Sequence, residues 1–444
     1  GLVGTGILLS IMLGFPQIRR FGVAAKKVFG GVFKKEESRE GSMSSFQALA
    51  TSIAAQIGTG NVAGVATAIA MGGPGAVFWM WVSAFFGMST IFVEATLAQK
   101  YRETDVDGQL VGGPAYYIKN GLKSKGLAAF FAISLIIALG FIGNMVQSNS
   151  IAGAISRAFN IPNIAIGFAI AIIAGLIFIG GMERIAKFAE MVVPVMAVVY
   201  ILGSIVVIVL FRGNIIPTFK SIFVGAFNPQ AILGGAAGIG IKQAVRYGIA
   251  RGLFSNEAGM GSTPNSHAVA DVAHPAEQGY SAMIAVFIDT ILVCTATSLV
   301  ILATGANELG LEGAAVTQEG FNIAFGPIGQ KFLAVCLTFF AFTTVIGWYY
   351  FGENNIRFLF KGKTAIRIYQ AIVLVFIVLG SYQKVDFVWN LADMFNGIMV
   401  IPNLIALLFL FKESSNMLMD YDNQIAKGEK LHFNYEFENA SKFK

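Results

Sequence analysis

Charge is what this chain most conspicuously lacks. Of its 444 residues only 13% are Asp, Glu, Lys or Arg, while 55% are hydrophobic; soluble domains carry about 25% charged residues. Mean hydropathy is +0.69. No soluble fold hides that much apolar surface, because even a large domain keeps a mixed exterior. The composition is that of a polytopic membrane protein. Cysteine is almost absent: Cys294 and Cys336 both lie in apolar runs. That excludes a disulfide framework and a cysteine metal cluster, and leaves two small buried hydrophobes. The histidines, His267, His274 and His432, have no second ligand-type residue at metal-binding spacing. No short apolar region with a cleavage site precedes the first apolar stretch. That stretch, 2–15, falls short of the ~20 residues that cross a bilayer, and a truncated first helix is expected there. No nucleophile–base constellation is visible, so the chain is not expected to be an enzyme.

Long apolar runs are what the chain has instead. Hydropathy divides it into about eleven spans of bilayer length. They cover 2–15, 46–71, 76–99, 127–154, 165–181, 191–211, 232–270 (long and interrupted), 281–304, 332–351, 368–382 and 388–411. The basic residues orient them. Placing 16–45 in the cytoplasm puts twenty-three of the 31 Lys and Arg on that side and five opposite, with Lys242, Arg246 and Arg251 inside the interrupted span. The positive-inside rule then sets the amino end outside and the carboxyl end inside. The net charge of +6 therefore reports orientation and no nucleic-acid partner. The tail after Lys412 is polar and reads as a short cytoplasmic helix plus disorder. The external connection 305–329 has room for a short helix over Ala314–Phe325 lying across the outer face.

Two spans are broken by glycine and polar residues. The second contains Gln56-Ile57-Gly58-Thr59-Gly60-Asn61-Val62-Ala63-Gly64, and the seventh contains Gly252-Leu253-Phe254-Ser255-Asn256-Glu257-Ala258-Gly259-Met260-Gly261. Unpaired backbone is costly in hydrocarbon and survives only where it lines a cavity or packed site. The breaks lie five spans apart, each opening a five-helix set, as in an inverted repeat with its ligands at the midplane. At such a break the first half-helix ends in unpartnered carbonyls, which suit a cation. The second begins with free N–H groups, which suit a carboxylate. Glycine lets a ligand approach the backbone. The bland alternative is that Gly60-x-x-x-Gly64 only packs helices, but packing does not account for Gln56, Thr59 and Asn61 beside it. A dinucleotide reading of Gly58-x-Gly60 lacks any strand context.

Other polar groups lie in the spans. Asn144, Gln147 and Ser148, at i, i+3 and i+4, share one helix face. They either bond neighbouring helices or line a pathway. Thr343 and Thr344 pair their hydroxyls in the ninth span, completing a cation site or bonding back to their own helix. Glu94, Glu257, Asp289, Glu353 and Asp393 are candidates because charge is expensive at that depth. For Glu257 the structural alternatives are pairing with Arg246 or Arg251, or capping the following half-helix.

Phe46-Gln47-Ala48 through Asn61, the Gly72-Gly73-Pro74-Gly75 turn, Val111-Gly112-Gly113-Pro114 and Ser255-Asn256-Glu257-Ala258-Gly259 resemble the alanine/glycine:cation symporter family over nearly the whole chain. The resemblance implies the amino acid–polyamine–organocation superfamily. Its fold is an all-α membrane protein with a five-plus-five inverted repeat of the leucine-transporter type, preceded by one extra helix. The segments would be the extra helix 1–15, a basic cytoplasmic loop 16–45, the first repeat 46–211, an extracellular connection 212–231, the second repeat 232–411 and a cytoplasmic tail 412–444. The implied function is uptake of alanine or glycine across the cell membrane with sodium as coupling ion and no other cofactor. Its partners are the small amino acid, sodium and the bilayer. Carried over residue by residue, the Thr59 and Gly60 amides would hold the substrate carboxylate, and the Gln56 and Phe254 carbonyls with Ser255 and Asn256 the ammonium. Asn144 and Gln147 would face the substrate where many relatives place a tyrosine. Sodium would take the Ala54, Ile57 and Phe340 carbonyls and the Thr343 and Thr344 hydroxyls, and Asn61 is a candidate for a second ion. Phe254 and Trp348 suggest a pocket too small for large side chains. The alternatives are a proton-coupled porter titrating Glu257 or Asp289, a passive channel, and a structural or sensor protein.

Overall fold

A computed structural model of the chain describes residues 1–31, 41–228, 240–360 and 362–435. Nearly all of them are helical, because a helix satisfies its own backbone groups where no water is available to do so. A two-residue antiparallel ladder, Glu103–Thr104 with Leu110–Val111, lies in one connection. Among the described residues seven helices are long and apolar enough to cross a membrane: Ala76–Lys100, Lys125–Phe159, Gly181–Leu210, Pro275–Thr304, Pro327–Leu359, Lys363–Ser381 and Val385–Ala426. An eighth crossing is the pair Ser45–Gln56 and Gly60–Gly72, bent by 47°.

The three remaining expected spans fall outside that set for separate reasons. Leu2–Met12 and Asn163–Phe178 are apolar but short, at 11 and 16 residues. The interrupted span 232–270 is seen only from residue 240, as Ile241–Asn256 and Pro264–Ala268, because 229–239 lie outside the described residues. Ile241–Asn256 also carries Lys242, Arg246 and Arg251, which keeps its hydropathy low.

Between the spans the structure holds more than the hydropathy pattern suggested. Ala314–Phe325 is a helix with the expected bounds. The connections read as 16–45 and 212–231 carry helices as well, Phe21–Gly31 and Ile215–Phe227, although 32–40 lie outside the described residues. The last span continues unbroken for 42 residues to Ala426. Beyond it the chain turns back rather than trailing away. The Tyr435 ring stacks 3.8 Å from the Arg102 guanidinium, and its hydroxyl donates to the Val272 carbonyl at 3.1 Å. Residues 436–444, also read as disordered tail, lie outside the described residues.

Burial sorts the helices into an inner and an outer group. The most apolar window of Pro327–Leu359 is 78% buried and that of Ala76–Lys100 67%, against 28% for Gly181–Leu210 and for Lys363–Ser381. The outer helices show Val198, Leu202, Ile368 and Val375 to the surroundings, an apolar surface suited to contact with lipid. Both broken helices lie against the inner group. Three helical stretches widen into π turns, Gly60–Gly64, Ile136–Gly143 and Phe287–Cys294. Such turns shift carbonyls out of the regular ladder and recur at functional sites.

Candidate functional site

The first half-helix starts with a reciprocal cap, Ser44 Oγ accepting from the Gln47 N–H and Gln47 Oε1 from the Ser44 N–H, both at 3.1 Å. It ends where Ile57 turns extended, at ψ 93°. The freed N–H groups then find side chains: Gly58 donates to Asn61 Oδ1 at 2.8 Å and Thr59 to Gln147 Oε1 at 3.0 Å. The Gln147 carboxamide oxygen thus stands where a ligand carboxylate oxygen would. Glycine is required here by close approach. A Cβ on Gly58 would run into Thr344 Oγ1 and lie 3.0 Å from Gln147 Oε1, and one on Gly60 would lie 3.0 Å from Ser255 Cα. The reading of Gly60 and Gly64 as a packing pair fits Gly60 against Ser255, but not Gly64, where a Cβ meets only Trp389 at 4.0 Å, and it leaves Gly58 aside.

The second break is already furnished with an anion. Glu94, fully buried on Ala76–Lys100, accepts from the N–H groups of Gly259 at 2.8 Å and Gly261 at 2.9 Å, and from Asn403 Nδ2 at 2.6 Å. The Gly259 and Gly261 amides therefore are not free for a second carboxylate, whereas neutral carboxamide oxygens hold the Gly58 and Thr59 amides at the first break and the Ala258 amide at the second. Glu257 differs from both structural alternatives raised for it. It pairs with neither Arg246 nor Arg251, and it caps the preceding half-helix rather than the following one, its N–H donating to the Leu253 carbonyl at 2.9 Å. At φ +59° it accepts from Trp348 Nε1 at 2.6 Å and from the Ser262 hydroxyl. Arg251 instead forms a two-pronged ion pair with Asp393, both contacts at 2.8 Å, because its position on the half-helix points it toward Val385–Ala426.

The two breaks meet directly. Gln56 Nε2 donates to the Asn256 carbonyl at 2.7 Å, and the Phe254 and Trp348 rings meet edge to face with centroids 6.0 Å apart. Among the described residues the buried oxygens Gln56 Oε1 and Thr59 Oγ1 at the first break and Thr263 Oγ1 after the second have no hydrogen-bond partner. Each such group costs about 1–3 kcal/mol, a penalty that a ligand ammonium with three donors would relieve. Above Phe254 the Trp389 ring follows at 4.9 Å, with the Arg251 guanidinium 4.7 Å from its centroid. Trp389 also floors a cavity of about 420 Å³ lined by Ala63, Gly153, Gln318 and Val385. A second cavity of about 390 Å³, lined by Ser45, Leu49, Asp271 and Glu277, lies at the opposite end of the broken helix. The breaks lie between the two, with Gln56, Thr59, Ser255 and Asn256 buried.

Oxygens converge below the first break. Thr344 Oγ1 lies 3.0 Å from the Ala54 carbonyl, 3.3 Å from that of Ile57 and 3.1 Å from that of Phe340. One hydroxyl proton satisfies one of these acceptors, so the cluster holds more oxygen than it has protons to share. A small hard cation suits that set. Thr343 joins the cluster through the Phe340 carbonyl, to which its hydroxyl donates at 2.8 Å, and lies 3.7 Å from Met196 Sδ.

Residues 1–435 match the family model described as the sodium:alanine symporter family. The chain belongs to that family. It is 44% identical to the sodium/alanine symporter AgcS of Methanococcus maripaludis, covering 92% of this chain and 90% of the relative. It is 42% identical to the amino-acid carrier protein AlsT of Bacillus subtilis, over 96% and 90%. Among solved structures, MhsT in complex with L-phenylalanine superposes with a TM-score of 0.60 at 14% identity, covering 84% of this chain and 90% of that one. The likeness places this chain in the leucine-transporter type of fold. As a member of this family it is a multi-pass membrane transporter and not an enzyme.

Within this family member the residues singled out from sequence divide. Gln56, Thr59, Gly60, Asn61, Gln147, Phe254, Ser255, Asn256 and Trp348 gather around the two breaks, and Ala54, Ile57, Phe340 and Thr344 around the oxygen cluster. Asn144 does not join them, since its amide donates to Gly140 on its own helix at 3.0 Å. Ser148 and Asn149 bond the Lys363–Ser381 helix through the carbonyls of Ile377 and Gly380, so that part of the polar face joins helices. Asn403 and Trp389 were missed. Asn403 lies within an apolar run and Trp389 near a span end, and neither position differs in sequence from a packing residue.

Proposed function

We propose that the chain imports alanine, and glycine with it, by symport with sodium. The observation that carries this is the Thr344 cluster, in which three carbonyls crowd one hydroxyl at 3.0–3.3 Å. Sodium there bridges the first broken helix to Pro327–Leu359. The Ile57 carbonyl immediately precedes Gly58 and Thr59, so ion binding steadies the backbone that receives the substrate carboxylate, and each ligand raises the other's affinity. The carboxylate displaces Gln147 from the Thr59 N–H, and the ammonium takes the orphaned Gln56 and Thr59 oxygens. Trp348 and Phe254 restrict the side chain to a hydrogen or a methyl group. In this reading the molecule has eleven spans in a five-plus-five inverted repeat after one extra helix, with the amino end outside and the carboxyl end in the cytoplasm. A membrane potential adds about 2.3 kcal/mol per charge per 100 mV.

The deciding experiment is alanine uptake into proteoliposomes with an inward sodium gradient, repeated with potassium in its place at matched voltage. Uptake that overshoots equilibrium with sodium alone is expected. Equal uptake in both, or an overshoot driven by a pH gradient without sodium, rejects the reading in favour of proton coupling.

A further inference from the structure

Far from the two breaks, Asn163–Phe178 packs beside Lys363–Ser381, and a groove with a cavity of about 490 Å³ runs between them. Its walls are apolar. Phe168, Ile172, Leu176 and Ile179 line one side, each more than half exposed, and Ala371 and Leu374 line the other. The groove is kept open by a missing side chain: a Cβ on Gly175 would lie 3.3 Å from Leu374 Cδ1. Its floor is held in place from behind, where the Phe178 ring stacks on Tyr349 at 3.6 Å and Gln370 donates to the Tyr349 hydroxyl at 2.8 Å. One end of the groove is basic. Arg367 lines it, and Lys363 stands four residues earlier, on the same helix face. From the other side Arg184 folds back across Gly180, where a Cβ would run into its Nε, and donates to the Leu176 carbonyl at 2.6 Å. All three basic side chains are exposed. Among the described residues none of them pairs with a carboxylate, and the nearest acid in sequence, Glu183, is taken by Lys187 at 3.0 Å.

We propose that this groove is a binding site for an anionic phospholipid, with the phosphate on Arg184 and Arg367 and an acyl chain along Ile172 and Leu176. The groove alone selects nothing in a bilayer, because lipid tails are as apolar as the leucines of a helix. The unpaired cations at its mouth do select, since basic side chains at a membrane surface draw anionic headgroups. A guanidinium fork also matches phosphate oxygens in geometry, which a lysine does not. Charge at one end and an apolar channel along the rest fit an amphiphile better than a free anion, which leaves the channel empty, or a second protein helix, which leaves the cations unmatched. With the basic connections in the cytoplasm, the lipid belongs to the inner leaflet.

Native mass spectrometry of the delipidated full chain in detergent tests this, with phosphatidylglycerol or phosphatidylcholine of identical acyl chains added. Phosphatidylglycerol is expected to bind at least tenfold more tightly. Each basic side chain near an anionic headgroup contributes about fivefold, so Arg184→Gln combined with Arg367→Gln should weaken phosphatidylglycerol about twentyfold and leave phosphatidylcholine unchanged. Ala371→Phe, at an exposed position, fills the groove and spares the charges; it should weaken phosphatidylglycerol at least tenfold. Equal binding of the two lipids overturns the proposal, as does phosphatidylglycerol binding that either variant leaves unchanged. A dimeric mass that Ala371→Phe abolishes assigns the groove to a second copy of the chain and overturns it as well. Lipid retention depends on neither sodium nor alanine, so this site and the symport reading stand or fall separately.

Discussion

A single hydroxyl shows how tightly chemistry is specified here. Thr343 and Thr344 are adjacent and identical, yet only Thr344 reaches the broken helix, 3.0 Å from the Ala54 carbonyl. Thr344→Val is therefore expected to raise half-saturating sodium at least tenfold in uptake assays, while Thr343→Val shifts it by less than threefold. Equal effects would mean the cation is not held by the Thr344 cluster. Trp348 makes a second residue-scale case. Its indole closes the pocket edge to face with Phe254 and donates to Glu257 at 2.6 Å. Trp348→Ala should let larger side chains such as leucine or glutamine compete for alanine uptake. If competition still stops at alanine and glycine, another group sets the size limit.

At the scale of elements, the two broken helices look alike in sequence and are used differently. Both expose N–H groups at their breaks, but the second has a resident carboxylate, Glu94, bound to Gly259 and Gly261. Glu94→Gln replaces one acceptor oxygen by a donor facing donors, and the lost bonds should lower stability by about 1–3 kcal/mol. Thermal unfolding in detergent reads this directly; an unchanged midpoint would remove the capping role. The ion pair of Arg251 and Asp393 calls for the opposite expectation. Asp393 is 47% exposed, so its contribution to stability is small. Its position beside Trp389 makes it a closure over the breaks. Asp393→Asn is expected to speed modification of Cys294, which lies 3.3 Å from Ser255, by an impermeant thiol reagent in a Cys336→Ser background. No acceleration would show that Trp389 seals the pocket without the pair.

For the whole molecule, charge distribution and packing answer different questions. Basic residues concentrate on one side of the spans, which gives a topology testable in intact cells: a cysteine at Lys384 should label from outside and one at Lys363 only after permeabilisation. The reverse pattern would invert the orientation. The returning tail, with Tyr435 on Arg102 and Phe433 against His274 at 5.4 Å, belongs to packing, and hydropathy carries no trace of it.

The spans, the two breaks and the gathering of Gln56, Thr59, Ser255 and Asn256 were legible in the residue order, because lipid penalises every unpaired backbone group and marks each exception. The oxygen pair at 343–344 was legible as chemistry, since hydroxyls are scarce in an apolar helix. Which hydroxyl reaches the broken helix and which acid caps a loop were decided only by the tertiary structure. Glu94, Glu257 and Asp289 are equivalent as letters in apolar spans. They part company because one meets backbone amides, one meets an indole, and one meets a side-chain amide from the first break and a hydroxyl from the second. Those meetings depend on residues separated by dozens to hundreds of positions, and local sequence has no means of specifying them.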